Sequence, residues 1–184
     1  MVGGLPRTGK TILRNTLGSH GQIAFTPTAF NFFYWFSKES YANRGGFQEN
    51  LDYFLKNNWI SEKWGIKNEK INIIGKSRKD LFLALLDIYR SKYFPDRTYM
   101  GTYIHLSEEY FHTLIDWFGD ERLRFIQIIR NPYENYSSYI TDRRISKESR
   151  KRNRYNSFVN LFCNMWGQSA VMGMNRALKH PNTC

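Results

Sequence analysis

Cysteine is nearly absent from this 184-residue chain. Only Cys163 and Cys184 occur, too few for a disulfide framework and in keeping with a reducing compartment. Long apolar runs are missing too: Leu81–Leu86 falls far short of the roughly 20 residues that a membrane-spanning helix requires. No apolar leader opens the chain, since Met1-Val2-Gly3-Gly4 leads straight into a turn. No signal peptide is therefore expected, and the expected location is cytoplasmic. No Pro/Ser/Gly-rich linker and no internal repeat divides the sequence, so a single domain over residues 1–184 is expected. Acids are the scarcest charged class: 16 Asp plus Glu against 27 Lys plus Arg, a net charge of +11. That surplus favours anionic ligands such as phosphates, sulfates, nucleic acid or acidic glycans, although a basic surface that only aids solubility has the same composition. What the chain has in quantity is aromatic mass, with 14 Phe, 12 Tyr and 5 Trp, which excludes a disordered polymer and provides for a real core.

Short apolar runs alternate with amphipathic stretches, which predicts an α/β fold. Met1–Leu5 reads as the tail of a strand, and a helix follows over Thr11–Leu17. Gln22–Phe25 reads as a short strand and the aromatic segment Ala29–Phe36 as helical. Phe47, Leu51, Phe54 and Leu55 fall at i, i+4, i+7 and i+8, the mark of an amphipathic helix over Phe47–Asn58. Ile71–Ile74 reads as a buried strand. Ser77 with Asp80 forms a capping-box pattern ahead of Leu81–Arg90. Thr98–His105 predicts another strand, and Ser107 with Glu108 and Glu109 predicts the start of a helix running to Phe118. Phe125–Ile129 gives the clearest buried strand. Asn131-Pro132-Tyr133-Glu134 then supplies an N-cap, a first-turn proline and an acid. A stripe of Phe158, Leu161, Phe162, Met165, Ser169 and Met172 predicts a final helix ending near His180-Pro181.

Residues 4–11, Gly4-Leu5-Pro6-Arg7-Thr8-Gly9-Lys10-Thr11, fit G-x-x-x-x-G-K-T without a mismatch. Glycines let a backbone wrap an anion, successive N–H groups converge on it, and a following helix N-terminus adds positive potential. In a nucleotide triphosphatase Lys10 reaches a terminal phosphate and Thr11 holds Mg²⁺. Such an enzyme also needs a metal carboxylate, usually at the end of a buried strand. Here Phe125–Ile129 ends in Arg130-Asn131 and Ile71–Ile74 ends in Gly75. The missing acid counts against phosphoryl transfer.

The same stretch resembles the 5′-phosphosulfate loop of the sulfotransferases that use 3′-phosphoadenosine-5′-phosphosulfate, which commonly runs Pro-(Arg/Lys)-Ser-Gly-(Thr/Ser)-Thr. This sequence departs from it with Thr8 and Lys10. Ile126–Ser138, reading IQIIRNPYENYSS, resembles that family's 3′-phosphate motif: a hydrophobic strand, Arg-(Asn/Asp)-Pro, then Ser eight residues after the Arg. Arg130 at a strand end offers a forked guanidinium to a phosphate. Ser138 lies two turns beyond the N-cap Asn131 on one helix face, so both can address one anion. The resemblance covers the cofactor-binding segments only. It implies a three-layer α/β/α architecture around a central parallel sheet, like that of the P-loop nucleotide triphosphatases. It implies that Arg7, Thr8, Gly9, Lys10 and Thr11 hold the 5′-phosphosulfate and that Arg130 and Ser138 hold the 3′-phosphate, with no metal. Arg7 or Lys10 then stabilises charge on the bridging oxygen. The family's later Gly-rich segment has no counterpart before residue 184, so the expectation is a chain incomplete at its C-terminus, with weak cofactor binding and slow turnover.

The family's base is a His or a Glu, and some members carry Thr-His-Leu before the 3′-phosphate strand. Tyr103-Ile104-His105-Leu106 sits at a similar distance, which makes His105 the candidate base; a packed strand-end His gives the same pattern. Glu39 and Glu49 are the rivals. The basic run over residues 143–154 lines an entrance for anions or forms a solvated loop. The aromatics of Phe30–Phe36 wall an acceptor pocket, stack a base, or pack a core. The leading expectation is thus transfer of a sulfuryl group to a hydroxyl or amine of a small-molecule, carbohydrate or peptide acceptor. A P-loop kinase using ATP and Mg²⁺, or a non-catalytic nucleic-acid-binding module using residues 143–154, are the alternatives, nucleic acid being the less expected partner.

Overall fold

A computed structural model describes residues 1–69, 73–141 and 155–181, with the side chains of 155–158 left aside. The chain is mixed α/β, with small parallel sheets. Its contacts divide it into two compact units. The first joins Met1–Ile12 to His105–Cys184, and the second is Leu13–Ile104.

In the first unit, strand β1 (Val2–Gly3) pairs in parallel with β4 (Ile126–Gln127), Val2 opposite Ile126. The expected five-residue buried strand at 125–129 is therefore a two-residue ladder, because a ladder is no longer than its shorter partner. Phe125 is buried, but Ile126 and Ile129 are 41% and 45% exposed. Helix α1 (Lys10–Gly18) follows the loop after β1; its start belongs to this unit and its remainder, from Leu13, to the second. A 3₁₀ turn at Ser107–Tyr110 leads into α7 (Phe111–Arg122), which is interrupted by Gly119 at φ 70°. Ser107 is not the cap predicted from the sequence: Leu106 stands before the turn in the left-handed region, and Ser107 and Glu108 are both fully buried. Helix α8 (Pro132–Ile140) is capped as read, since the Asn131 side chain accepts from the amides of Tyr133 and Glu134. The long helix predicted at the C-terminal side is α9 (Tyr155–Lys179). It buries Phe162, Ser169, Ala170 and Arg176, whereas Leu161, expected in the buried stripe, is 55% exposed.

The second unit holds a parallel pair, β2 (Ile23–Phe25) with β3 (Tyr99–Gly101). Thr98–His105 was too long a prediction for the same reason as 125–129: β2 offers three residues to pair with. Around the ladder lie α2 (Phe32–Trp35), α3 (Lys38–Asn43), α4 (Phe47–Asn57), α5 (Trp59–Lys63) and α6 (Arg78–Tyr93). The core is aromatic. Phe30 stands 4.9 Å from Trp64, 5.5 Å from Phe32 and 5.6 Å from Phe82 between ring centres, and all four rings are buried. Of the residues 30–36, then, Phe30, Phe32, Phe33 and Phe36 pack inside and Tyr34 faces out. At the start of α6 both halves of the predicted capping box form. Ser77 Oγ accepts from the Asp80 amide at 3.1 Å, and Asp80 Oδ2 accepts from the Ser77 amide at 2.9 Å. Ile73 and Ile74 belong to no strand, and Ile74 is 89% exposed, which corrects the buried strand predicted there; Ile71 lies outside the described residues.

Candidate functional site

The loop at residues 4–11 is built by three departures from ordinary backbone. Gly4 has φ +113°, and a Cβ there would strike the Ile128 carbonyl oxygen, so only glycine fits beside β4. Gly9 has φ +101° and opens onto empty space, the setting in which a backbone accepts a close ligand. Between them Arg7, a residue with a Cβ, is held at φ 67°.

Each predicted loop residue has a distinct setting. Thr8 is buried, its hydroxyl donating to the Leu5 carbonyl at 2.9 Å. Lys10 is 4% exposed and turned into its own loop: Nζ donates to the Gly4 carbonyl at 2.6 Å, to the Leu5 carbonyl and to Thr8 Oγ1 at 3.4 Å. Burial holds its ammonium down to about 7, with the Glu108 carboxylate pulling the other way. Thr11 is exposed in the first turn of α1. Arg7 is the exposed cation of the loop.

The second motif meets the first here. Arg7 Nε donates to Ser138 Oγ at 3.1 Å, across 131 residues of sequence. Arg130 Nη1 donates to the Arg7 carbonyl at 3.3 Å, and Arg130 Nε pairs with Glu134 Oε2 at 3.2 Å. The buried Asn135 donates from Nδ2 to the Pro6 carbonyl at 3.0 Å, clamping the loop onto α8. Trp166 Nε1 of α9 donates to the Arg130 carbonyl at 2.9 Å. Two guanidinium groups and a serine hydroxyl are thereby gathered at one edge, and Asn131, Asn135 and Trp166 fix the backbone that carries them.

Beneath the loop lies a buried polar group that the sequence reading missed. Glu108 is fully buried, and its Oε2 accepts from the Gly4 amide at 3.1 Å while Oε1 accepts from the Ser169 hydroxyl. Gln127 Nε2 completes the chain by donating to the Ser169 carbonyl at 2.7 Å and to its hydroxyl at 3.0 Å. Read locally, Glu108 is an ordinary helix-start acid; only its distant partner at Gly4 reveals its part. A neighbouring acid, Glu109, is pushed up by burial and by the Glu108 charge.

His105 is partly buried next to Leu106, whose amide donates to the Gly4 carbonyl at 3.5 Å, so it adjoins the loop in the same unit. Glu39 and Glu49 sit in the first turns of α3 and α4, in the other unit. The basic run 143–154 lies outside the described residues. Among the described residues no cluster of three or more His, Cys, Asp or Glu side chains suits a metal, and no helix is long and apolar enough to cross a membrane. No family model matches this chain, and no curated protein or solved structure is significantly similar to it.

Proposed function

We propose that this chain is a sulfotransferase of three-layer, P-loop-like architecture that moves a sulfuryl group from 3′-phosphoadenosine-5′-phosphosulfate to an acceptor hydroxyl or amine. One observation supports the reading: Arg7 bonds Ser138 while Arg130 bonds the Arg7 carbonyl, so the two segments that resemble phosphate motifs, more than 120 residues apart, meet at one loop. The residues fit a doubly anionic nucleotide. Gly9 leaves room at the backbone, Arg7 is exposed, and Ser138 and Arg130 each bond Arg7.

In this reading the loop amides and Arg7 hold the 5′-phosphosulfate, and Arg130 with Ser138 holds the 3′-phosphate. The acceptor oxygen or nitrogen attacks sulfur, the bond from sulfur to the bridging oxygen breaks, and the electron pair leaves with 3′,5′-adenosine bisphosphate. Arg7 lies where charge grows on that bridging oxygen. His105 takes the acceptor proton as general base. Lys10, turned toward the Gly4 and Leu5 carbonyls, first serves to hold the loop in shape and has to swing outward to touch the anion.

Calorimetric titration tests the proposal. 3′,5′-Adenosine bisphosphate should bind in the presence of excess EDTA. Arg130→Ala should weaken it by about 2–4 kcal/mol, as for truncating one member of a buried charged pair, and barely affect 5′-AMP. Equal loss for both nucleotides, or binding only of ATP and only with Mg²⁺, would overturn the sulfotransferase reading in favour of a kinase.

A further inference from the structure

The second unit contains a cleft of about 340 Å³ that the loop chemistry does not use. Its walls are Phe25, Pro27, Tyr89 and Phe94, and it carries the side chains of Arg14 and Arg97. The volume is at the small end of ligand pockets, which run from roughly 300 to 1,000 Å³. No acid is among its lining residues.

Both guanidinium groups are fixed before any ligand arrives. Arg97 Nη1 donates to the Gly18 carbonyl at 2.8 Å and to the Ile23 carbonyl, and its Cζ lies 4.4 Å from the centre of the Phe94 ring. Among the described residues its Nε and Nη2 donors have no partner, and the group sits over an aromatic ring. Arg14 Nη1 donates to the Pro27 carbonyl, and its Nε at 3.1 Å and Nη2 at 2.5 Å both donate to Asn15 Oδ1. Neither arginine forms an ion pair with the described residues. The opposite wall is neutral: burial pushes the Tyr89 hydroxyl up, so it keeps its proton. Two fixed positive charges without a counter-charge, set against Tyr89 and Phe94 with ring centres 6.0 Å apart, define a complementary shape. The open fork of Arg97, with the charge of Arg14 in the same cleft, takes an anionic head, and the aromatic walls take a flat apolar body.

We propose that this cleft is a binding site for a small organic anion with a planar apolar body, its anionic group between Arg14 and Arg97 and its ring against Tyr89 and Phe94. The site stands whether or not the loop of the first unit carries out sulfuryl transfer.

The test is calorimetric titration of the full chain with 1-naphthyl phosphate, beside inorganic phosphate and 1-naphthol. The ester should bind at least about tenfold more tightly than either fragment, because only it engages both the cations and the aromatic walls. Ser19→Glu puts a carboxylate into the lining and removes only the bond from Ser19 Oγ to the Thr16 carbonyl. It should weaken the ester about tenfold or more through like-charge repulsion. Arg97→Gln should do the same. Arg130→Ala, which alters the first unit alone, should leave this binding intact. The proposal is overturned if the unmodified protein does not bind the ester, if 1-naphthol binds as well, if Arg130→Ala abolishes binding, or if Ser19→Glu leaves it unchanged.

Discussion

At the scale of single residues, Lys10 is a group whose chemistry the fold alters strongly. Its folded-state value of about 7 lies below the 10.5 of a free lysine. Below pH 7 both folded and unfolded chains hold the proton, and the folded chain bears the full penalty of a buried charge. Between about 7 and 10 the unfolded chain binds the proton that the folded chain has released, so the contribution of Lys10 to stability rises with pH. The stability of the natural protein relative to Lys10→Met should therefore be more favourable at about pH 9.5 than at about pH 6, measured by urea unfolding. A flat difference would mean that the ammonium is not desolvated. Residue by residue, the site was legible where chemistry and spacing coincide: Arg7, Arg130 and Ser138 were named from the sequence and do meet. Glu108, Asn135 and Ser169 were not legible, because each acts on a partner at least 60 residues away and no local pattern sets an inward-facing acid apart from an exposed one.

Elements divide by what fixes their limits. Where a helix start is set by side chains close in sequence it is readable, so the Ser77–Asp80 box and the Asn131 cap formed as read, whereas Ser107, buried by distant packing, did not cap the start expected there. Strands are limited by partners elsewhere, so the runs at 98–105 and 125–129 were read too long. The Ser77 box gives a direct measure of how much a readable signal contributes. Asp80 is held below its ordinary carboxylate value, first by the Lys76 amide and then by Ser77. Ser77→Ala should lower stability by about 0.5–2 kcal/mol in denaturant unfolding, the usual effect of a lost N-cap. A change near zero would mean that α6 is held by its buried face of Leu81, Phe82, Leu85 and Leu86 alone.

For the whole molecule, the notable fact is that the first unit is assembled from two distant stretches of chain, residues 1–12 and residues from 105 onward. Val2 pairs with Ile126 and Arg7 reaches Ser138 only after the 92 residues of Leu13–Ile104 have been threaded between them. Closing so long a loop carries an entropic cost that is recovered only when the contact is made, and such contacts form late. During synthesis the loop at 4–11 leaves the ribosome before Arg130 and α8, and its Pro6 and Arg7 carbonyls wait for Asn135 and Arg130. In pulsed hydrogen exchange during refolding, the Ile128 amide, bonded to Gly3, should become protected after the Tyr99 amide, bonded to Gln22 in the second unit. Simultaneous protection would show that the two units fold in one step. The clamped loop is thus a late product of folding: a ribosome-bound chain ending before Ser138 has its glycine loop but no second hand to close upon it.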